Sequence, residues 1–348
     1  MSNAQDAQHT AKRKNEHIHI CLEEQVNGEQ ITNGFEHYRF IHEALPEIDF
    51  GEISLNIDWF GKQQATPLLI SSMTGGTEWA HAINLRLATA AEKRGWAIGL
   101  GSIRAAIENE QLAYSYQLRE QAPNAWMIAN IGAVQFNYGY SVEQCRRAVQ
   151  LMGADALVLH LNSMQEVFQP EGDTNFRDLL PKIAYLCEHL NVPVGVKEVG
   201  WGISGPLAKR LLDCGVQFID VAGAGGTSWS QVEKFRQSDE LRKRAAQTFA
   251  GWGIPTAKCV VDVRKHSGNA KLIASGGMNN GLEAAKAIAL GADLVGFGRS
   301  LLSVATDSTE LVEFALEQVE FELRAAMFGI GASDLLQLRY SPQLVSLL

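Results

Sequence analysis

What the chain is short of narrows its role first. Its five cysteines, Cys21, Cys145, Cys187, Cys214 and Cys259, are scattered and form no Cys-x-x-Cys pair. They read as buried free thiols in a reducing cytoplasm. No segment approaches the roughly 18 apolar residues that a membrane span needs. The first dozen residues, 1–12, lack the apolar stretch of a signal peptide and are expected to form a mobile tail. Positive charge is scarce too: 30 Lys and Arg against 39 Asp and Glu give a formal net charge of −9. That balance disfavours nucleic acid or an acidic membrane surface as a partner, so any phosphate must be bound by a local cluster of cations.

What is present is a repeated unit. Eight short apolar runs each end in Gly, Ser, Asn or a charged residue: 67–73, 97–102, 126–132, 156–161, 193–199, 218–223, 271–277 and 294–299. Between most of them lie helix-like segments closed by glycine, such as 78–95, 142–153, 204–215 and 281–291. Continuous rather than alternating apolar runs imply strands buried on both faces, hence a parallel sheet with helical crossovers. Eight units in 348 residues, 46% hydrophobic, suit a (β/α)8 barrel, the α/β fold also called a TIM barrel. Strand counting alone leaves a doubly wound open sheet as the runner-up. The expected layout is one domain over 13–348, with a lid-like insertion at 228–264, a connection longer than usual.

Ligands in such folds sit beyond the C-terminal ends of the strands. The run 154–166 passes from apolar residues straight into His160, Asn162, Gln165 and Glu166. Lys197 stands near the end of the fifth run, where an unpaired ammonium is costly. Glu198 faces the other way along a strand, so an anionic ligand is the candidate partner. Glycine-rich loops follow runs seven (275–281) and eight (296–299), the places where barrels commonly bind phosphate. Small and polar residues at nearly every strand mouth leave room for a broad flat cofactor, and a flavin with its phosphate tail fits.

Four motifs carry a resemblance: Ser-Ser-Met-Thr-Gly-Gly (71–76), His-Leu-Asn-x-x-Gln-Glu (160–166), Lys-Glu-Val-Gly-x-Gly-Ile-Ser (197–204) and Ala-Gly-Ala-Gly-Gly-Thr-Ser-Trp (222–229). Together, and in this order, they resemble the type 2 isopentenyl-diphosphate isomerases, which are FMN-dependent (β/α)8 enzymes. The resemblance implies interconversion of isopentenyl and dimethylallyl diphosphate in isoprenoid biosynthesis. It implies reduced FMN and Mg²⁺, with NADPH or NADH reducing the flavin although the net reaction is redox-neutral. A cytoplasmic homo-oligomer, tetramer or octamer, is the accompanying expectation.

Carried over residue by residue, the resemblance gives the polar strand ends their roles. Arg13, Lys14 and His17 match a diphosphate clamp, completed by Ser102, Arg104, His160 and Asn162. Glu166 matches the Mg²⁺ ligand, in keeping with the preference of that hard cation for a carboxylate plus phosphate oxygens. Gln165 matches the residue beside the double bond, and Glu233 an acidic residue in a supporting proton relay. Lys197 matches the group at the flavin's pyrimidine edge. Ser71, Ser72, Met73, Thr74, Ser102, Asn130, Thr227, Gly277, Met278, Asn279, Gly298 and Arg299 match the other FMN contacts. His160 as a general base is the alternative to its phosphate role.

The implied chemistry adds a proton at one end of an unactivated alkene and removes one at the other, through carbocation character that an electron-rich flavin face can stabilise. A competing reading is an FMN-dependent oxidoreductase of the 2-hydroxy-acid oxidase type. It needs a strand-end His and an arginine pair for a carboxylate, and no His stands beside a Gly-Gly-Arg here. A non-catalytic flavin protein needs no acidic metal ligand. An inosine-monophosphate-dehydrogenase-like activity needs a cysteine at a strand mouth, and none lies there.

Overall fold

The barrel strands form where the apolar runs lie. The computed structural model describes residues 3–339 and 341–347, with side chains from residue 11 onward. The eight runs become β1 (Leu68–Ile70), β2 (Ala97–Gly99), β3 (Met127–Gly132), β4 (Ala156–His160), β5 (Val194–Lys197), β6 (Phe218–Asp220), β7 (Lys271–Ser275) and β8 (Leu294–Phe297). They pair in parallel in sequence order, and β8 bonds back to β1 to close a (β/α)8 barrel. Closure removes the open-sheet alternative. Every residue of β1, β2, β3, β5, β6 and β8 is buried, which is why those runs do not alternate.

The helices are α1 (Asn3–Glu23), α2 (Glu78–Arg94), α3 (Arg104–Glu108), α4 (Val142–Met152), α5 (Ser163–Phe168), α6 (Leu179–His189) and α7 (Gly205–Asp213). They continue as α8 (Trp229–Arg236), α9 (Glu240–Thr248), α10 (Thr256–Ser267), α11 (Gly281–Ala289), α12 (Arg299–Asp307) and α13 (Thr309–Phe328). Local signals set their ends. Thr77 caps α2 by accepting from the N–H of Ala80, and Gly95 ends that helix at φ 70°. Ser141 and Gln144 form a capping box on α4, and Asn280 caps α11.

Aromatic packing closes the barrel's N-terminal end. A short antiparallel hairpin, Ile57–Trp59 with Lys62–Gln64, carries Trp59 to ring-centroid distances of 5.8 Å from Trp126 and 6.2 Å from Phe218. Phe218 occupies the space that a side chain at position 195 would take, since a Cβ on Gly195 would lie 2.1 Å from its ring. Burying that ring contributes roughly 2–3 kcal/mol. The opposite end is left open for chemistry.

Two expectations about the appendages change in detail. Residues 3–12, read as tail, are the first turns of α1, because Ala, Gln and Lys favour helix and the turns after them pack on the barrel. Met1 and Ser2 lie outside the described residues. The stretch 228–264 carries α8, α9 and the start of α10; the last is the ordinary barrel helix before β7. A small antiparallel pairing of 38–40 with 344–346 ties the C-terminal segment to the chain after α1. Among the described residues no helix is long and apolar enough to cross a membrane, and all five cysteines are free thiols.

Candidate active site

A cavity of about 540 Å³ opens at the C-terminal ends of the strands. Its lining contains every sequence-predicted site residue except Glu233. Five cationic side chains reach it, Arg13, Lys14, Arg104, Lys197 and Arg299, against a single carboxylate, Glu166. A protein of net charge −9 thus carries a locally cationic site. Ile18, Leu22, Met73 and Trp229 supply an apolar wall. The composition suits anionic groups joined to a hydrocarbon.

Helix α1 brings the first cations over the barrel. Lys14 Nζ donates to the Tyr116 hydroxyl at 2.6 Å and to the Ser102 carbonyl at 3.1 Å, and Tyr116 donates to the same carbonyl at 2.8 Å. Among the described residues Lys14 forms no ion pair. Burial, reinforced by Arg13, lowers its pKa to about 7. Arg13 reaches Glu171 at 3.5 Å, and Arg104 is held by Glu108 (2.7 Å) and Asp173 (2.8 Å). Tyr116 was not legible in the sequence, since its role depends on a contact 102 residues away. Tyr116→Phe, losing one hydrogen bond to a charged group worth about 1.5–3 kcal/mol, is expected to raise KM for a diphosphate substrate by roughly tenfold or more with little change in kcat. Steady-state kinetics check this.

Glu233 stands behind the cavity, fully buried. Its Oε1 accepts from His17 Nε2 at 2.9 Å and from Gln165 Nε2 at 3.3 Å, and its Oε2 accepts from Arg236 at 2.7 Å. Burial by itself raises its pKa, but the His17 hydrogen bond and the Arg236 charge bring it below the usual range, so it is ionised. Burial lowers the His17 pKa, while the hydrogen bond and charge of Glu233 act the other way. Arg236 also pairs with Glu16 (3.0 Å) and Glu171 (3.2 Å), joining α1, α8 and the segment after α5. Sequence reading did not single out Arg236, whose partners Glu16 and Glu171 lie 220 and 65 residues away.

Helix α5 presents Asn162, Gln165 and Glu166 from the end of β4. Glu166 accepts from Asn162 Nδ2 at 2.7 Å and from the Asp173 N–H at 2.7 Å. Burial raises its pKa against both hydrogen bonds. Among the described residues Asn162 Oδ1 is buried with no partner, an orphaned hard oxygen beside the one carboxylate of the cavity lining. That pair fits a hard divalent cation completed by phosphate oxygens and water. Among the described residues no cluster of three or more His, Cys, Asp or Glu forms a cage.

The floor is built by β3 to β6. His160 Nδ1 donates to Asn130 Oδ1 at 2.7 Å, leaving Nε2 as an acceptor. Burial, with Lys197 and Lys14 nearby, lowers the His160 pKa to about 3, so the ring is neutral. Donation from Nε2 to a diphosphate requires the Asn130 amide rotated by a half turn. Lys197 Nζ donates to the Glu198 carbonyl. The Glu198 carboxylate lies elsewhere, accepting the N–H groups of Val199, Gly200, Trp201 and Gly202 at 2.6–3.1 Å and fixing the turn after β5.

Glycine packs on glycine where the loops after β6 and β7 meet. A Cβ on Gly276 would lie 2.1 Å from the Gly223 carbonyl oxygen, and one on Gly226 would lie 2.5 Å from the Gly277 nitrogen. Thr256 Oγ1 bridges the loops, 2.7 Å from the Gly276 carbonyl. Beside this cradle α12 starts at Arg299, and Ser300 Oγ donates to the Met278 carbonyl at 3.0 Å. The Ser71 hydroxyl of the lining is buried without a partner. The cradle, the start of α12 and the Ser71 hydroxyl fit FMN. Gly276→Ala, forcing a side chain at φ 105° into a carbonyl, is expected to destabilise the protein by about 3 kcal/mol or more and to abolish FMN retention. Thermal denaturation and the flavin absorbance of purified protein read both effects.

Comparison with known proteins follows the same lines. A family model described as FMN-dependent dehydrogenase matches residues 149–345. An isopentenyl-diphosphate delta-isomerase of Oceanobacillus iheyensis is 55% identical over 328 residues, 94% of each chain. The chain belongs to the isopentenyl-diphosphate delta-isomerase family. Isomerases of this family from Nostoc sp. (49% over 339 residues, 97% of each chain) and Synechocystis sp. (50% over 333 residues, 96% of this chain and 95% of the other) are similar along their whole length. Among solved structures, a mandelate oxidase mutant with the monooxide FMN adduct superposes with a TM-score of 0.64 at 20% identity, covering 98% of this chain and 99% of that one. An active chimera of (S)-mandelate dehydrogenase gives 0.65 at 19%, covering 98% of each. At that identity the superposition speaks for the fold that the isomerase family shares with these enzymes.

Proposed function

We propose that this chain converts isopentenyl diphosphate to dimethylallyl diphosphate, using FMN and Mg²⁺, with NADPH or NADH keeping the flavin reduced. The observation that carries the reading is the cavity's charge pattern: five cations, one carboxylate and an apolar wall in an acidic protein whose curated relatives of near-equal length are named isopentenyl-diphosphate delta-isomerase. The cations bind the diphosphate and the FMN phosphate. The apolar wall takes the five-carbon tail and keeps out water that would trap a developing cation.

The side chains divide the work. Arg13, Lys14, His17 and Arg104 hold the diphosphate from the α1 side, while Glu166 and Asn162 hold Mg²⁺ against it. Ser71, Lys197, Arg299 and the glycine cradle hold FMN, which when reduced supplies an electron-rich face to positive charge. Gln165, tethered through Nε2 to Glu233, orients the alkene with a neutral amide. Glu233 has no surface in the cavity and serves as a proton relay reached through Gln165 and His17. The helical insertion at 228–264 acts as a lid, and Trp229 is its contribution to the cavity wall. We place the enzyme in the cytoplasm as a homo-oligomer whose contacts use the exposed Leu311, Phe314 and Phe321 of α13.

Substrate discrimination tests this reading. Anaerobic protein with reduced FMN and Mg²⁺ is expected to turn over isopentenyl diphosphate, and the oxidised holoenzyme is expected to reduce no dye with mandelate, lactate or glycolate. Dye reduction by a 2-hydroxy acid without isomerase turnover would move the chain to oxidase chemistry.

A further inference from the structure

The strand register places three titratable side chains in one row. His160 of β4 lies opposite Lys197 of β5, and Lys197 lies opposite Asp220 of β6. Paired residues on neighbouring parallel strands project to the same side. His160 and Lys197 line the cavity; Asp220, 3% exposed, stands one strand further and outside the lining. Its Oδ1 accepts from Ser275 Oγ at 2.6 Å and from the Ala222 N–H at 3.3 Å. A neutral asparagine oxygen could also accept both bonds, so neither requires a charge. The fold therefore has no need of a charge here, and burying one is costly. Burial does raise the Asp220 pKa, and the charge acting against that rise is Lys197.

We propose that Asp220 is the buried counter-charge of Lys197 and sets the reduction potential of the bound flavin. The inference rests on the reading that the cavity holds FMN and that Lys197 is one of the residues holding it. Reduction adds two electrons and one proton to FMN, leaving one net negative charge on the ring. Lys197 stabilises that charge and Asp220 offsets part of the lysine's field, which lowers the potential. A lower potential means a more electron-rich reduced flavin, the property that stabilising a carbocation requires.

The test is the two-electron potential of FMN in the full-length holoenzyme, measured anaerobically against reference dyes. Asp220→Asn is expected to favour reduction by at least tenfold, a rise of about 30 mV or more, while Asp220→Glu, which keeps the charge, stays near the parent. A structural role alone would weaken FMN binding in both variants and leave the potential in place. If Asp220→Asn does not fold, Asp220→Ser is smaller and carries the same expected sign. Equal potentials in parent and neutral variant, with isomerase turnover intact in the parent, overturn this inference alone. A parent protein that binds no FMN overturns the proposed function with it.

Discussion

Glu166→Gln is expected to reduce isomerase turnover by ~10³-fold, about 4 kcal/mol of transition-state stabilisation, while FMN stays bound. Among the described residues Glu166 is the only carboxylate in the cavity lining, and it sits beside Asn162 Oδ1, which has no partner there. An amide has nearly the same shape but no charge, and a hard cation discriminates strongly between the two. The FMN cradle lies across the cavity, on the loops after β6 to β8, so flavin absorbance is expected to be unchanged. The measurement is kcat/KM as a function of Mg²⁺ concentration. A variant with the parent's Mg²⁺ dependence would show that the metal is held elsewhere.

Lys14 gives the second large effect and a pH signature. In the free protein burial brings its pKa down to about 7, from 10.5 for an ordinary lysine. The ammonium is therefore present below that pH and lost above it, whereas a bound diphosphate favours the charged form. Since kcat/KM reports ionisations of the free enzyme, it is expected to fall as pH rises through 7, approaching tenfold per pH unit. Lys14→Met is expected to remove that limb and lower kcat/KM by ~10²-fold at pH 6, through the lost charge-assisted contacts. A pH profile in which the parent and Lys14→Met share the same limb would assign the ionisation to another group.

Much of the site was legible because one physical rule places it. Apolar runs become buried strands, and whatever polar residues end them meet at the barrel mouth; hence His160, Asn162, Gln165 and Glu166 could be read from one stretch of chain. The glycine loops were legible for the same reason, their positions after runs seven and eight carrying the phosphate expectation. Lys197 was marked as a buried strand-end lysine, and it is buried at the end of β5. Its neighbour Asp220 stood in plain view inside the run 218–223, but only the register of β5 against β6 shows that the two share a layer. Tyr116 and Arg236 act across separations of 102 and up to 220 residues, and no local pattern marks such contacts. Glu233 was named as an acidic residue of a supporting proton relay; its position behind His17 and Gln165 depends on how α8 packs against α1 and α5. The start of α1 was missed because a polar, weakly amphipathic segment looks like a tail until its later turns find the barrel.

The most direct test of the central claim is NMR of isopentenyl diphosphate incubated anaerobically in D₂O with the FMN-loaded protein, Mg²⁺ and NADPH. Dimethylallyl diphosphate carrying deuterium, formed with no net NADPH consumption once the flavin is reduced, is the predicted result. Protein shown to hold reduced FMN that forms no dimethylallyl diphosphate would contradict it.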